Sequence, residues 1–230
     1  MKKTKIDWCD CTINPVVGCK NKCKYCYARK INQRFGFIFN WEEPQFFEER
    51  LKQLNSKTPK SIFMDSMSDI YYWENGWISK TLNAMFENKQ HNYIFLTKGN
   101  TDYLLRRMSN IRANIGIPYI GFFLGKSVTT QQQLDSMAMN KELVSFLSIE
   151  PLLEKINLSS LFQYNSGCKM IILGAETGNR KEKVIPKKEW IDEIVKECDK
   201  AHARVFMKES LKEIMGEDFR QDELIWEVNK

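Results

Sequence analysis

Short, mostly apolar runs alternate with amphipathic stretches along nearly the whole chain, and this alternation limits the possible folds more than any other feature. The runs expected to be strands cover residues 12–17, 61–65, 92–97, 120–127, 143–150, 169–174 and 204–208. Between them, helical spacing is expected over 27–35 with 45–53, then 78–88, 101–108, 130–137, 159–164 and 187–201. Asn100-Thr101-Asp102 and Ile185-Pro186 read as helix starts. Runs such as Ser61-Ile62-Phe63-Met64 and Met170-Ile171-Ile172-Leu173 are continuous rather than alternating, the pattern of parallel strands covered on both faces. Repeated βα units imply an α/β sheet or barrel. Six or seven units in 230 residues are too few for a closed eight-fold barrel, which takes about 250 residues. The expectation is an open, partial, TIM-like barrel of parallel strands, a single domain over 1–230 that includes the N-terminal segment 1–34. A doubly wound sheet is the alternative. No internal repeat, low-complexity tract or linker interrupts the chain.

In either architecture, chemistry belongs beyond the C-terminal ends of the strands. Polar or ionisable groups stand at every such end. Cys19 to Cys26 follow the first run, Asp65-Ser66-Met67-Ser68-Asp69 the second and Thr97-Lys98 the third. Lys126-Ser127, Glu150, Glu176 and Lys208 follow the remaining four.

Composition narrows the class. Apolar residues make up 43% and charged residues 28%, enough for a core and against global disorder. No apolar run approaches the ~20 residues of a membrane span, and no apolar stretch follows the charged N-terminus as in a secretion signal. A cytoplasmic location without membrane attachment is expected. The net charge is +6, yet residues 1–34 alone carry +7, including Lys2 and Lys3, so basicity belongs to one segment. Such a segment is either a solvated tail or the mark of an anionic partner: a metal–thiolate cluster, a phosphate or a nucleic acid.

Five of the seven cysteines fall in the first 26 residues, and an odd count without a secretion signal points to metal rather than disulfides. Cys168 and Cys198 read as small buried apolar residues. Cys19, Cys23 and Cys26 have C-x3-C-x2-C spacing. Three thiolates on a short loop can hold three corners of a 4Fe–4S cubane and leave one iron open, whereas four saturate it for electron transfer. Lys20, Lys22 and Lys24 interleave the ligands and would offset their charge. A zinc site that also uses Cys9 and Cys11 remains open, although only Cys23 and Cys26 have the C-x2-C spacing of a zinc pair.

The motif, with Tyr25 before its third cysteine and a strand before its first, resembles the radical S-adenosylmethionine (SAM) superfamily. Further stretches are similar to a narrower group, the phage- and bacterium-encoded three-cysteine-motif proteins of unassigned function. These are Asp7-Trp8, the segment from Thr12 to Gly18, Asp65-Ser66-Met67-Ser68-Asp69, Leu147-Ser148-Ile149-Glu150-Pro151-Leu152, Gly174-Ala175-Glu176-Thr177-Gly178 and Phe206-Met207-Lys208. Many members of that group have a longer gap between the first two cysteines; this chain has the shorter superfamily spacing.

The resemblance implies a partial (β/α)6 barrel. It further implies that Cys19, Cys23 and Cys26 ligate the cluster and that SAM chelates the open iron. One electron then cleaves the sulfonium to methionine and a 5′-deoxyadenosyl radical that abstracts a substrate hydrogen. Tyr25 falls where backbone and ring lie near the adenine. Ser66, Ser68 and Asp69 fall where the superfamily holds the SAM amino group with Gly-Gly-Glu, a pattern this chain lacks. Thr97, Lys98, Lys126 and Ser127 are placed to meet the SAM carboxylate or ribose. Glu150 and Glu176 are expected to bind the ribose, the adenine or the substrate, or else to form ion pairs with Lys208 or Arg204. An electron donor of flavodoxin or ferredoxin type is implied as a partner. A hydrogen-donor role for Cys9 or Cys11, as for the thiol of spore photoproduct lyase, stands beside a structural one.

Aromatic residues gather at 35–41, at Phe46-Phe47 and at 71–77. They read as packing and loop anchors, or as a surface for stacking bases beside the basic segment. The reading that results is a radical SAM enzyme acting on a nucleic acid or nucleotide. Its rival is a non-catalytic nucleic-acid-binding protein stabilised by zinc or a cluster.

Overall fold

The computed structural model describes residues 4–164 and 167–227. Lys2 and Lys3 lie outside the described residues. The main sheet has seven strands in the order β1 (Cys11–Thr12), β4 (Ser61–Phe63), β5 (Asn92–Thr97), β6 (Phe123–Val128), β7 (Phe146–Ile149), β8 (Met170–Leu173) and β9 (Arg204–Met207), numbered along the chain. The pairings β1–β4, β4–β5, β6–β7, β7–β8 and β8–β9 are parallel. Strand order follows chain order without the reversal that a doubly wound sheet requires. The fold is therefore α/β with the topology of the expected open, partial TIM-like barrel. Two compact units divide the chain, 1–123 and 124–230.

In the first unit, the stretch 12–17 is not one strand. β1 ends at Thr12, and β2 (Val16–Val17) pairs antiparallel with β3 (Gln45–Phe46). The break falls at Asn14-Pro15, where proline has no N–H for a ladder. Pro15 O instead accepts from Phe47 N, and Asn14 Oδ1 accepts from Met67 N at 2.9 Å. The helix expected over 45–53 is displaced for the same reason: Gln45 and Phe46 are taken by β2, and 3-10 turns follow over Glu48–Asn55 with Leu51 and Leu54 buried. Helix α1 (Tyr27–Phe35) has the expected bounds. It stops at Gly36, whose φ of 64° suits glycine. Helices α2 (Asn75–Glu87) and α3 (Thr101–Asn114) bury Ile78, Leu82 and Met85, and Leu104, Met108 and Ile111, each a stripe of helical period. The Asn100 side chain caps α3 by accepting from Tyr103 N at 2.8 Å.

In the second unit, α4 (Gln131–Met139), α5 (Ser159–Tyr164), α6 (Lys188–Ala201) and the short α7 (Lys212–Met215) alternate with the strands. Leu147 and Ile149, Ile171 and Leu173, and Val205 and Met207 form one core with Leu134 of α4 and Ile191 of α6. Each such buried aliphatic side chain contributes about 1.5–3 kcal/mol. Strand alternation turns Ser148, Ile172 and Phe206 to the opposite face. Cys168 and Cys198 lie in this core, as their isolation in the sequence suggests. Burial pushes the Cys168 thiol up to about 12 and raises that of Cys198 as well.

Candidate functional site

The loop from Gly18 to Cys26 leaves β2 and enters α1. Two backbone bonds pin its start: Gly18 N donates to Met67 O at 3.0 Å and Cys19 N to Trp41 O at 2.8 Å. Gly18 has a φ of 106°, and a Cβ there would meet Pro44 Cα at 2.8 Å and Trp41 O at 3.0 Å, so only glycine fits. Cys19 is buried with Val17, Ile38 and Trp41, against which Cys26 also packs. Its Sγ accepts from Asn21 N at 3.4 Å. Cys26 caps α1, its Sγ accepting from Arg29 N at 3.4 Å, and its own N–H donates to Cys23 O. Burial pushes the Cys19 thiol up to about 12; Asp69, Cys23 and Cys26 add to the rise, and the Asn21 N–H opposes it. A metal bound there must displace that proton.

Asn21 ties the loop to the ends of β4 and β5. Its Nδ2 donates to Asp69 Oδ2 at 2.7 Å, and its Oδ1 accepts from Tyr72 Oη at 3.1 Å. Asp69 also accepts from Thr97 Oγ1 at 2.6 Å, Lys98 N at 3.0 Å and Tyr71 N at 3.0 Å. Those bonds fill the roughly four acceptor sites of a carboxylate, so Asp69 organises the site. Ser66 donates to Asn14 Oδ1 at 3.0 Å, and Ser68 Oγ accepts from Trp73 Nε1 at 3.0 Å. Tyr27 Oη donates to Ser66 O at 2.8 Å, a second tie between α1 and the segment after β4. Lys98 Nζ lies 5.5 Å from the centre of the Tyr25 ring. Cys19, Cys23, Tyr25, Cys26, Asp69, Thr97 and Lys98 are thus gathered in one unit. Beneath them, burial and the neighbouring Asp69 hold the Asp65 carboxyl well above the usual range, against N–H bonds from Leu96 and Ile70.

Among the described residues, no three His, Cys, Asp or Glu side chains converge as tightly as one ion requires. Thiolates 2.3 Å from a zinc ion lie about 3.8 Å apart, whereas a cubane takes each at a separate iron. Trp41, which packs with Cys19, and Arg29, whose backbone N–H donates to Cys26 Sγ, each carry a buried side-chain donor, Nε1 and Nε, with no acceptor among the described residues. Unmet donors on residues that touch Cys19 and Cys26 fit an anionic sulfur-rich group.

The remaining predicted residues belong to the second unit. Lys126 shares a strand face with Val128, which packs in the core against α4, and its Nζ lies 2.8 Å from Glu142 Oε2 with both side chains buried. The Lys126 charge is thus met by a buried carboxylate, and Ser127 occupies the other strand face. Glu150 Oε1 receives Lys208 Nζ at 2.5 Å. Gly174 lets the pair close, since a Cβ there would lie 3.0 Å from Glu150 Cγ and 3.2 Å from Lys208 Cδ. Glu176 is held by Arg180, Nε and Nη2 each at 2.7 Å, a partner the sequence reading missed. Cys11 is fully buried, and burial raises its thiol; Cys9 Sγ lies 3.9 Å from Ile6 O.

A family model described as "Protein of unknown function (DUF5131)" matches residues 3–218. The chain belongs to this family. No curated protein matches it. In this DUF5131 chain the match covers both the cysteine loop and the Glu150 and Glu176 pairs. Residues to which the sequence assigned no role are Asn14, Asn21 and Tyr72 in the first unit and Glu142 and Arg180 in the second. Of these, Asn21 carries a sequence signal, being the one uncharged polar residue among the lysines of the motif.

Proposed function

We propose that this protein is a radical SAM enzyme in which Cys19, Cys23 and Cys26 hold three irons of a 4Fe–4S cluster. The observation that carries the proposal is the three-thiol loop, pinned at Gly18 and Cys19 and tied through Asn21 and Asp69 to the ends of two parallel strands. When bound, the cluster and SAM supply one-electron cleavage of the sulfonium and a 5′-deoxyadenosyl radical able to take a substrate hydrogen. The chain's own residues supply the rest. Burial of Cys19 among Val17, Ile38 and Trp41 keeps water from its sulfur. Trp41 Nε1 and Arg29 Nε, unmet in this structure, would be donors for the sulfur-rich group. Asp69 fixes the loop against Thr97 and the Lys98 amide, which sets Lys98 beside Tyr25 to receive a carboxylate. Ser68 and Ser66 line the amino-group side in place of Gly-Gly-Glu. Ser127, Glu150 and Glu176 are the proposed ribose and substrate contacts, the two carboxylates already oriented by Lys208 and Arg180. Lys126, expected at the same strand end, has its charge matched by Glu142.

The substrate we propose is a nucleic acid or nucleotide, and the reductant a flavodoxin or ferredoxin. No helix among the described residues is long and apolar enough to cross a membrane; an odd count of seven cysteines suits a reducing cytoplasm. Anaerobic reconstitution, reduction and addition of SAM should give 5′-deoxyadenosine, and Cys23→Ala should abolish it. Product formation unchanged by Cys23→Ala would overturn the proposal. Zinc in place of iron and sulfide would favour the non-catalytic nucleic-acid binder.

A further inference from the structure

Residues 11–41 contain no Asp or Glu and six cations: Lys20, Lys22, Lys24, Arg29, Lys30 and Arg34. The same stretch exposes Tyr27, Ile31, Phe35, Phe37 and Phe39, of which Phe39 is fully exposed. Tyr27, Ile31 and Phe35 stand four residues apart and so share one side of α1.

Phe35, Phe37 and Phe39 are held outward by a built device. Gly36 ends the helix in a left-handed turn, and the chain then runs back along α1 with Ile38 inward and buried. Buried Asn32 clasps Ile38 on both sides, its Nδ2 donating to Ile38 O and its Oδ1 accepting from Ile38 N, each at 3.0 Å. Guanidinium groups lie over two of the rings: Arg34 is 5.3 Å from the centre of Phe35 and Arg50 5.8 Å from that of Phe37. Phe35 and Phe37 are themselves 5.9 Å apart and 32° from parallel.

Rings fixed outward on a rigid clasp, with cations interleaved and no carboxylate in the stretch, combine the two elements of a single-strand platform. Bases stack on the rings and phosphates meet the cations. An anionic membrane would also meet the charges, but guanidinium groups lie over Phe35 and Phe37 themselves, which keeps those rings at a charged, aqueous surface rather than in acyl chains. We propose that the exposed side of α1 and the strip Phe35–Gly36–Phe37–Ile38–Phe39 form a docking surface for single-stranded nucleic acid. This deepens the proposed function by narrowing the substrate to single strands and giving them a surface, and it rests on that reading only for its link to catalysis; binding itself needs no cluster.

The test is fluorescence anisotropy with a labelled 20-nucleotide oligothymidylate, the full chain and rising salt, both before and after cluster reconstitution. Binding is expected in both states, with affinity falling steeply as salt increases. Phe37→Ala with Phe39→Ala should weaken oligothymidylate binding at least tenfold while leaving heparin binding, which needs charge alone, within about twofold. Circular dichroism of that variant, altered only at exposed rings, controls for folding. Absence of oligothymidylate binding, equal loss for heparin, or ring-dependent binding to phosphatidylglycerol vesicles in its place would each overturn the proposal. Oligothymidylate binding without 5′-deoxyadenosine formation would instead sink the enzyme reading and leave the surface standing.

Discussion

Asp69 receives four donors from three parts of the first unit, and Asn21 alone carries the bond from the cysteine loop. Asp69→Ala strands those donors in a buried setting and should cost about 2–4 kcal/mol in a urea melt. Asp69→Asn, which keeps one acceptor oxygen, should cost less. Gly18→Ala meets backbone atoms that cannot yield, so iron bound after reconstitution should fall to less than about half of wild type. Trp41→Phe keeps the packing and removes an unmet N–H, so if that N–H serves the proposed cluster its midpoint potential should become more negative, as read by redox titration. The cysteine loop was legible because its spacing is local. The partners of Asn21, Asn14 and Lys126 were not: Asn21 and Asp69 are 48 residues apart, and pairing at that distance is decided by the fold.

At the scale of elements, α1 and α5 have the bounds their periodicity predicts, while the stretches 12–17 and 45–53 do not. Both departures have one cause, the antiparallel β2–β3 pair, a non-local contact that periodicity cannot register. Asn32 is a further case: a polar residue in a helix, spaced as if exposed, yet buried to clasp Ile38. Asn32→Ala leaves two buried backbone groups unpaired and should cost about 2 kcal/mol in the same melt. The end of β9 is tied to the following segment by Asp222, which accepts from Val205 N at 2.8 Å and from two Arg220 nitrogens. Burial works against its charge, but Arg220, Val205 N and Arg204 outweigh it and hold the carboxyl below its usual value. The unfolded chain then binds more protons near pH 4, so this stabilisation is present above about pH 5 and lost as pH falls through the folded value. Asp222→Asn should therefore destabilise most at neutral pH, and the gap from wild type should close below about pH 4.

Over the whole molecule, strand order was legible because each continuous apolar run is followed by a helical stretch, a pattern that parallel pairing in chain order satisfies. The polar groups at the strand ends were legible as a set, but their roles were not. Lys126 illustrates why: a shift of one residue along a strand decides whether a charge meets the site or a buried carboxylate, and the sequence shows only that both are near. The concentration of positive charge and exposed rings within residues 11–41 sets the thiol loop and the proposed docking surface side by side on one segment. The account depends on a cluster held by three thiolates with one iron left to SAM. Electron paramagnetic resonance of the anaerobically reconstituted, reduced protein tests this most directly. About four irons and four sulfides per chain, and a signal whose g-values shift when SAM is added, are predicted. A reduced cluster whose signal is indifferent to SAM, or a protein that takes up zinc and no sulfide, would contradict it.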